Sequence, residues 1–190
     1  MSITQIYFRL VVSAIPCLDR KQPAGFLKRK AMKTIQLTQN KISLIDDGDY
    51  SGLSKYKWYA VLSRNKNWYA VRYFKIDNKY ASISMHRQIL GLQKGDKREV
   101  DHKDHDGLNN QRYNLRVCTH QENDFNRKYQ PHSSKFKGVN LTKGKYMARI
   151  KLNGKKLYIG LYENEIEAAR AYDEKAKELH GEYAGLNFKM

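Results

Sequence analysis

The stretch "VDHKDHDGLNNQRYNLRVCTHQEND", which runs from Val100 to Asp124, decides how the central part of this chain folds. Its first residues read as a strand that reaches a turn, and "NLRVC" reads as the return strand after a polar loop. The "THQE" that follows has the Thr-x-x-Glu form of a capping box, in which Thr119 and Glu122 satisfy free amide donors of a helix. The stretch therefore predicts a strand, a loop, a strand and a helix, in that order.

This order of elements can bring polar side chains together. Asp101 on the first strand and Asn123 on the helix can supply two oxygen donors to one hard cation. His102 lies next to Asp101 and can accept a proton near neutral pH. Since His105 and several acidic residues crowd the same loop, composition alone leaves open which histidine would act as a base.

The motifs "DH", "NN", "NLR" and "T-x-x-E-N" of this stretch resemble the signature of the HNH endonucleases, in the variant whose third signature position is Asn. The likeness implies a ββα-metal nuclease module that hydrolyses phosphodiester bonds in double-stranded DNA. It also implies that Asp101 and Asn123 hold one divalent metal, that His102 is the general base and that Asn114 holds the His102 ring. Because both ligands are hard oxygen donors, we expect Mg²⁺ or Mn²⁺ rather than Zn²⁺.

The residues before this stretch predict β-hairpins, because aromatic and β-branched runs alternate with polar clusters. The repeated "WYAV" at Trp58 and Trp68 predicts a hairpin whose loop runs from Ser63 to Asn67. The segment "SISMHRQILGL" predicts a strand end and a short helix. Its histidine, His86, is expected to be structural, with an active-site role as the alternative. The remaining expectations are surface or capping roles for His120, His132 and His180, and a core position for Cys118.

After the polar, proline-bearing segment 129–134, three predicted strands and one helix make a small α+β unit. Residues 133–162 contain eight Lys or Arg and no acid, whereas residues 163–182 contain seven acids and three bases. The sheet should therefore face a polyanion and the helix should face away from it. The helix is expected to bury Ile166, Ala169, Tyr172, Ala176 and Leu179.

This unit resembles the Apetala/ethylene-response-factor DNA-binding domain in the motifs "FKGV", "GKYMARI", "YIGLY" and "EAARAYDEKA". Three positions depart from the usual plant pattern, so the plant target sequence is not carried over; they are Asn140, Arg149 and Tyr158. The residues expected to contact DNA are Lys137, Lys145, Arg149, Lys151, Lys156 and Tyr158 in this unit, together with Arg116 in the nuclease module.

The overall composition agrees with a nucleic-acid partner, since 36 Lys and Arg stand against 19 Asp and Glu and give a formal charge of +17. Two cysteines without a CxxC pair argue against a disulfide framework. The early apolar run "LVVSAIPCL" is too short to span a bilayer, so we expect no membrane partner. We expect a monomer in a reducing cytoplasm, DNA-associated and of bacterial or phage type.

The sequence thus predicts an α+β fold in four parts. Residues 1–31 are a poorly ordered extension, and residues 32–128 are the nuclease module with a β-rich N-terminal part that contains the hairpins. Residues 129–134 are a linker, and residues 135–190 are a three-stranded antiparallel sheet packed on one helix. The predicted function is a homing-type, metal-dependent DNA endonuclease with a sheet that recognises DNA. The alternatives are a transcription-factor-like DNA-binding protein that uses the HNH fold only as a scaffold, and an RNA-binding accessory protein.

Overall fold

The computed structural model describes residues 32–188, and the predicted extension at residues 1–31 lies outside them. Short helices alternate with small antiparallel sheets, which confirms the expected α+β class. Within residues 32–188, no helix has both the length and the apolar composition needed to cross a membrane.

The first part of the described chain contains five strands and two short helices. They are β1 Met32–Gln36, β2 Ile42–Asp46, α1 Asp47–Leu53, β3 Tyr59–Leu62, β4 Trp68–Ile76, β5 Lys79–Ser84 and α2 Met85–Ile89. Strands β1 and β2 form one antiparallel pair, and β3, β4 and β5 form a three-stranded meander. Leu62 pairs with Trp68, so the loop between β3 and β4 lies where the repeated "WYAV" predicted it.

The next three elements carry the Asp-, His- and Asn-rich stretch. They are β6 Glu99–His102, β7 Leu115–Cys118 and α3 His120–Asn126. Strands β6 and β7 pair antiparallel, with Asp101 opposite Arg116. The capping box is confirmed, because the Thr119 hydroxyl accepts from the Glu122 amide and a Glu122 carboxylate oxygen accepts from the Thr119 amide. The strand, loop, strand and helix predicted from this stretch are all present.

One apolar core joins the first sheets to the β6–β7 pair. Trp58 is 2% exposed, and Ile45 and Met85 are fully buried, so each contributes roughly 1.5–3 kcal/mol of hydrophobic stabilisation. Leu115 of β7 belongs to the same cluster. This shared core fixes the position of β7, and therefore of its partner β6, against the N-terminal sheets.

The last part of the described chain forms a second α+β unit. Its elements are β8 Val139–Thr142, β9 Lys145–Leu152, β10 Lys155–Tyr162, α4 Glu165–His180 and a 3₁₀ turn, Gly181–Tyr183. The sheet order is β10-β9-β8, and Ala148 and Ile150 of β9 are buried against α4. The prediction for Ile166 is wrong: it is 44% exposed in the first turn of α4, where Ala168 packs on the sheet instead.

Close packing between this sheet and α4 depends on one glycine. Gly138 has a φ of 76°, and a Cβ atom there would lie 2.0 Å from the Tyr172 ring and 2.7 Å from the Arg149 carbonyl oxygen. A residue with a side chain would be strained in this left-handed backbone conformation, and its Cβ atom would clash with its neighbours. Gly138 therefore fixes the distance between the start of β8 and α4.

The two parts of the chain contact each other around α3. The rings of Phe125 and His180 stack with centroids 3.6 Å apart, and the Tyr183 hydroxyl donates to the Val117 carbonyl at 3.1 Å. His180 is 7% exposed and its Nε2 lies 3.1 Å from the Lys151 carbonyl oxygen, so its predicted surface or capping role is wrong. The segment 129–134 contains no helix or strand. Its role as a linker between two domains stays a prediction.

Candidate active site

A polar cleft of about 550 Å³ lies between the end of β6, the helix α3 and the loop that joins β3 to β4. It brings together three of the four predicted active-site residues, namely Asp101, His102 and Asn123. The fourth, Asn114, does not line it. Basic side chains stand around the cleft, and they are Arg64, Lys66, Arg127 and Lys128. The cleft therefore combines hard oxygen donors and an imidazole with a cationic surround.

His102 sits at the end of β6 and is 5% exposed. Burial lowers the pKa of His102 below its usual value, although the Asn110 contact and nearby carboxylates oppose this effect. The imidazole is therefore held neutral at pH 7, the form that can accept a proton. Two aromatic rings surround it: the His86 ring is 5.0 Å away and perpendicular, and the Tyr69 ring is 5.9 Å away.

The amide that contacts the His102 ring belongs to Asn110. Its Oδ1 lies 3.3 Å from His102 Nε2, while its Nδ2 donates to the Ser43 hydroxyl at 2.8 Å. Because an amide oxygen only accepts hydrogen bonds, this contact requires the proton on Nε2. Nδ1 is then the basic nitrogen of the His102 ring.

The expectation that Asn114 holds the ring is therefore wrong. The Asn114 Nδ2 donates to an Asp104 carboxylate oxygen at 2.9 Å and to the Asn109 carbonyl at 2.8 Å, and its Oδ1 accepts from the Asp104 amide. These bonds close the loop between β6 and β7 from inside. Asn114 thus fixes the loop that carries Asn110, rather than the imidazole itself.

The loop is also attached to the N-terminal part of the chain. The Leu44 amide of β2 donates to the Leu108 carbonyl at 2.9 Å, and the Asn110 amide donates to the Leu44 carbonyl at 2.8 Å. Gly107 lies so close to β4 that a Cβ atom would be 2.3 Å from the Trp68 carbonyl oxygen. Strands β2 and β4 therefore determine where the Asn110 amide stands.

Asp101 is 6% exposed and is surrounded by donors. Its Oδ2 accepts from the Arg116 guanidinium at 2.5 and 2.8 Å, and both of its oxygens lie 3.0 Å from the Asn126 Nδ2. Arg116 also contacts the Glu182 carbonyl and lies over the Tyr183 ring, 4.5 Å from its centroid. The prediction that Arg116 contacts DNA does not agree with this position, because its guanidinium is buried against Asp101.

Asn123 lines the cleft, but its side chain is not bonded to Asp101. Its Nδ2 donates to a Glu99 carboxylate oxygen at 2.6 Å, and the other Glu99 oxygen lies 2.8 Å from His120 Nδ1. This carboxylate raises the pKa of His120. Asn126, one turn later on the same face of α3, makes the contact with Asp101. The two predicted ligands thus share a cleft without touching each other.

His86 is 9% exposed, and its Nδ1 has no hydrogen-bond partner among the described residues. Burial, followed by the neighbouring His102 and Arg87, lowers the pKa of His86 to about 3. The His86 ring is therefore neutral at pH 7. Cys118 is 3% exposed and confirms its expected core position; burial raises the pKa of its thiol to about 11.

The C-terminal sheet presents a basic face away from α4. Cross-strand pairing places Arg149 opposite Tyr158 and Lys151 opposite Lys156. Lys151 and Lys156 are exposed, Tyr158 is 63% exposed and Arg149 is half-buried. Lys145 lies at the end of β9 and forms an ion pair with Glu163 at 2.5 Å. The expected shared face for these side chains is therefore present.

Lys137 does not join this face. Its Nζ donates to the carbonyls of Phe125 and Arg127 at 2.6 and 3.1 Å, where α3 ends. Burial lowers the pKa of Lys137 to about 8. This position does not agree with the predicted contact of Lys137 with DNA, because the ammonium group docks the C-terminal unit on α3.

A family model described as "HNH endonuclease" matches residues 85–125, which include β6, β7 and most of α3. An uncharacterised HNH endonuclease of Acanthamoeba polyphaga mimivirus is 37% identical over 140 residues, which cover 71% of this chain and 68% of that protein. The chain belongs to the HNH endonuclease family. The APETALA2-like protein 2 of Oryza sativa, in both subspecies indica and japonica, is 52% identical over 60 residues, which cover 30% of this HNH protein and 14% of the rice protein.

HNH nucleases generally use a divalent metal, and the donors of this HNH protein fit one. Asp101 Oδ1 accepts one hydrogen bond, from Asn126, within the part of the chain that the structure describes. A carboxylate oxygen can accept more than one partner, so Oδ1 can also face a cation. The described residues contain no cluster of three His, Cys, Asp or Glu side chains. A bound ion would therefore keep water or phosphate oxygens in its shell, as Mg²⁺ usually does.

Three contacts of the HNH site had weak or no signals in the sequence. Asn110 is part of the "NN" motif, but nothing local distinguishes it from Asn109. Asn126 shares a helix face with Asn123, and this spacing is the signal that could have found it. Tyr69 lies on β4, 33 positions before His102, and only the fold brings it to the cleft.

Proposed function

We propose that this chain is a metal-dependent, homing-type endonuclease that hydrolyses phosphodiester bonds of double-stranded DNA. The observation that carries the proposal is the cleft in which Asp101, His102 and Asn123 stand within a basic surround. In this proposal β6, β7 and α3 form the ββα-metal unit of the family. The membership in the HNH family supports the reaction class, and the +17 formal charge supports the polyanionic substrate.

Each side chain has a role that follows from its contacts. His102 Nδ1 takes a proton from the attacking water, because its Nε2 proton is committed to Asn110. Asn110 holds the ring, as an amide beside a catalytic imidazole fixes both tautomer and direction. Asn114 keeps the loop closed, so it acts on the reaction through the position of Asn110.

The proposed metal ligands are Asp101 and Asn123, and the proposed ion is Mg²⁺ or Mn²⁺. Oxygen donors from a carboxylate and an amide suit these hard cations, whereas Zn²⁺ favours nitrogen and sulfur. When bound, such an ion would neutralise charge on the scissile phosphate and on the leaving oxygen. Arg116 donates to Oδ2 of Asp101 and Asn126 donates to both of its oxygens, so together they orient the carboxylate.

Residues 135–188 are proposed to form an Apetala-type domain that recognises DNA with its sheet. The partial likeness to the rice APETALA2-like protein 2 supports this assignment. The exposed basic face supports it physically, since long cationic side chains on one sheet face can meet phosphates and guanine edges in a major groove. The side chains concerned are Lys145, Arg149, Lys151, Lys156 and Tyr158.

A non-catalytic DNA-binding role is the second candidate. It is favoured by the Arg116 guanidinium, which neutralises the carboxylate that would hold the metal. The two candidates differ in the outcome of a plasmid-nicking assay with Mg²⁺ or Mn²⁺ after exhaustive chelation.

The parent protein and two variants should be compared in that assay. His102→Ala should lower the nicking rate by about 10²–10⁴-fold, the usual contribution of a general base, while DNA binding stays within a few-fold. His132→Ala is the matched control, because His132 is exposed in the segment 129–134. If the parent binds plasmid DNA but no metal supports nicking, the scaffold role is correct. If His105→Ala removes activity and His102→Ala does not, the base has been assigned to the wrong histidine.

A further inference from the structure

The β3–β4–β5 sheet exposes a second cationic surface that lies outside the C-terminal unit. Its strand pairing puts Tyr59, Tyr69 and Tyr73 on one face, because Tyr59 pairs with Val71, the residue between the other two. Lys75 and Tyr80 pair with each other further along the same face. We call these five residues, Tyr59, Tyr69, Tyr73, Lys75 and Tyr80, the tyrosine face. Tyr73 is 54% and Tyr80 is 77% exposed, so much of this face is open to solvent.

The charge around the tyrosine face is strongly unbalanced. Residues 55–84 contain seven Lys or Arg and a single acid, Asp77. Among the described residues, no salt bridge involves any of these basic side chains. The basic residues are Lys55, Lys57, Arg64, Lys66, Arg72, Lys75 and Lys79, of which Arg72 and Lys79 belong to the opposite face of the sheet. The cations on and beside the tyrosine face are Lys57, Lys75 and the cleft residues Arg64 and Lys66. Such cations attract a polyanion, and its binding releases counterions.

The tyrosine face combines ammonium groups with phenol hydroxyls. Lys57 Nζ lies over the Tyr59 ring at 5.5 Å from its centroid, and Lys75 Nζ lies over the Tyr80 ring at 5.1 Å. The rings of Tyr59 and Tyr73 meet edge to face at 5.6 Å. Lysines and neighbouring rings therefore occupy ring faces that unpaired bases would need for stacking. The arrangement suits phosphate groups, which can bind a cation and a hydroxyl side by side.

The tyrosine face is continuous with the cleft. Tyr69 lines the cleft and lies 5.9 Å from the His102 ring, and the adjoining β3–β4 loop contributes Arg64 and Lys66 to the same cleft. From Tyr69 to Lys75 the strand advances six residues, which is about 20 Å at 3.4 Å per residue. One DNA strand places phosphates every 3.4 Å along the helix axis, so this length covers about six nucleotides.

We propose that the tyrosine face binds the phosphate backbone of the duplex as it leaves the cleft, over about half a helical turn on one side of the scissile phosphate. This inference rests on the proposed endonuclease function, but it concerns a surface that the C-terminal sheet does not include. Two other occupants of this face, residues 1–31 and a second copy of the protein, are less suited because both are positively charged. Residues 1–31 carry six Lys or Arg and one Asp, and a second copy would bring the same positive face.

The test compares two lysines at one end of the β4–β5 hairpin. Lys75 lies on the tyrosine face, whereas Lys79 pairs with Ile76 and points to the opposite face. Both are exposed, so glutamine at either position should leave the fold intact. The affinity of the full chain for a mixed-sequence duplex is measured as a function of salt concentration, without divalent metal so that no cleavage occurs.

Lys75→Gln should lower the slope of log affinity against log salt by about 0.9, and the double variant Lys57→Gln/Lys75→Gln should lower it by about 1.8. Lys79→Gln should leave the slope unchanged. Equal slopes for Lys75→Gln and Lys79→Gln would overturn the proposal. So would an effect confined to single-stranded DNA, which would indicate base stacking, or a change of oligomeric state in the double variant, which would indicate a self-association surface.

A flank experiment provides a second measurement. Removal of about six base pairs from one flank of a nicked product duplex should weaken binding by the parent and not by Lys57→Gln/Lys75→Gln. Plasmid nicking is measured in parallel. A parent that nicks while the slopes are equal contradicts the tyrosine-face proposal alone, whereas slope differences in a protein that never nicks contradict only the endonuclease function.

Discussion

Replacement of Asn110 by Asp tests the contact on which the assignment of the general base depends. The two side chains have almost the same shape, and the new carboxylate would lie near 3.3 Å from His102 Nε2, the distance that separates Asn110 Oδ1 from it. A carboxylate oxygen accepts a hydrogen bond from the Nε2–H group as the amide oxygen does, so the tautomer is retained. The difference is the negative charge, which favours the imidazolium form and raises the pKa of His102.

The size of this effect follows from the distance. At an effective dielectric constant of about 20, two unit charges 3.3 Å apart attract by about 5 kcal/mol. The cost of burying a new carboxylate, since Asn110 is fully buried, offsets part of this energy. We therefore expect the pKa of His102 to rise by about one to three pH units.

The expected pH dependence has a definite sign. In the parent, burial lowers the pKa of His102, so the loss of cleavage on acidification should begin at a lower pH than for an ordinary histidine. In Asn110→Asp the decline should begin at higher pH, and cleavage at a fixed pH on this limb should be about tenfold slower for each unit of increase. The measurement is single-turnover cleavage against pH, together with an NMR titration of the His102 ring.

Asn40→Asp is the matched control, because it adds the same charge at an exposed turn between β1 and β2. Its pH profile should match that of the parent. The reasoning is refuted if the NMR titration shows that the pKa of His102 is unchanged or lower in a folded Asn110→Asp protein. The NMR result remains decisive even if the variant no longer cleaves DNA.

Three further outcomes are expected. The double variant Arg149→Gln/Lys151→Gln should lower the salt slope of DNA binding by about 1.8 if both residues contact phosphates, and an unchanged slope would exclude this sheet from the interface. Gly138→Ala should destabilise the C-terminal unit by more than the roughly 1 kcal/mol cost of the left-handed backbone, because the new methyl group clashes with Tyr172. A smaller loss of unfolding free energy in a denaturant titration would contradict this packing. After chelation, the cleavage activity of the parent should return with Mg²⁺ or Mn²⁺, whereas the metal preference of Asn123→His should shift toward Zn²⁺, Ni²⁺ or Co²⁺. A parent that cuts with Zn²⁺ alone would require a histidine ligand.

The parts of the fold that could be predicted are those that depend on neighbours in sequence. The capping box at Thr119 needs only a residue three positions away, and the hairpin loop after Leu62 is set by two adjoining strands. The burial of Ala148 and Ile150 follows from strand alternation. Local periodicity and turn chemistry are sufficient for such features.

The choice between Asn110 and Asn114 could not be predicted in the same way. Both amides belong to one loop, and the loop direction is set by hydrogen bonds to Leu44 and Ser43, more than sixty positions earlier. The role of Lys137 could not be predicted for a similar reason, since it depends on where α3 ends in space. Charge alone predicts that a lysine is attracted to DNA, but a carbonyl pair at a helix terminus can bind it first.

Arg116 shows how a single side chain connects the two parts of this HNH protein. In the sequence it is one more cation in a basic chain, yet its guanidinium pairs with the buried Asp101 and packs on Tyr183 of the C-terminal unit. Removal of one partner from such a buried pair typically costs about 3–5 kcal/mol, because the other charge stays uncompensated. A change that moves Tyr183 is therefore expected to act on the Asp101 carboxylate through the Arg116 guanidinium that contacts both. The contact of Arg116 with the Glu182 carbonyl, 66 positions later in the sequence, therefore joins the cleft to the 3₁₀ turn that follows α4.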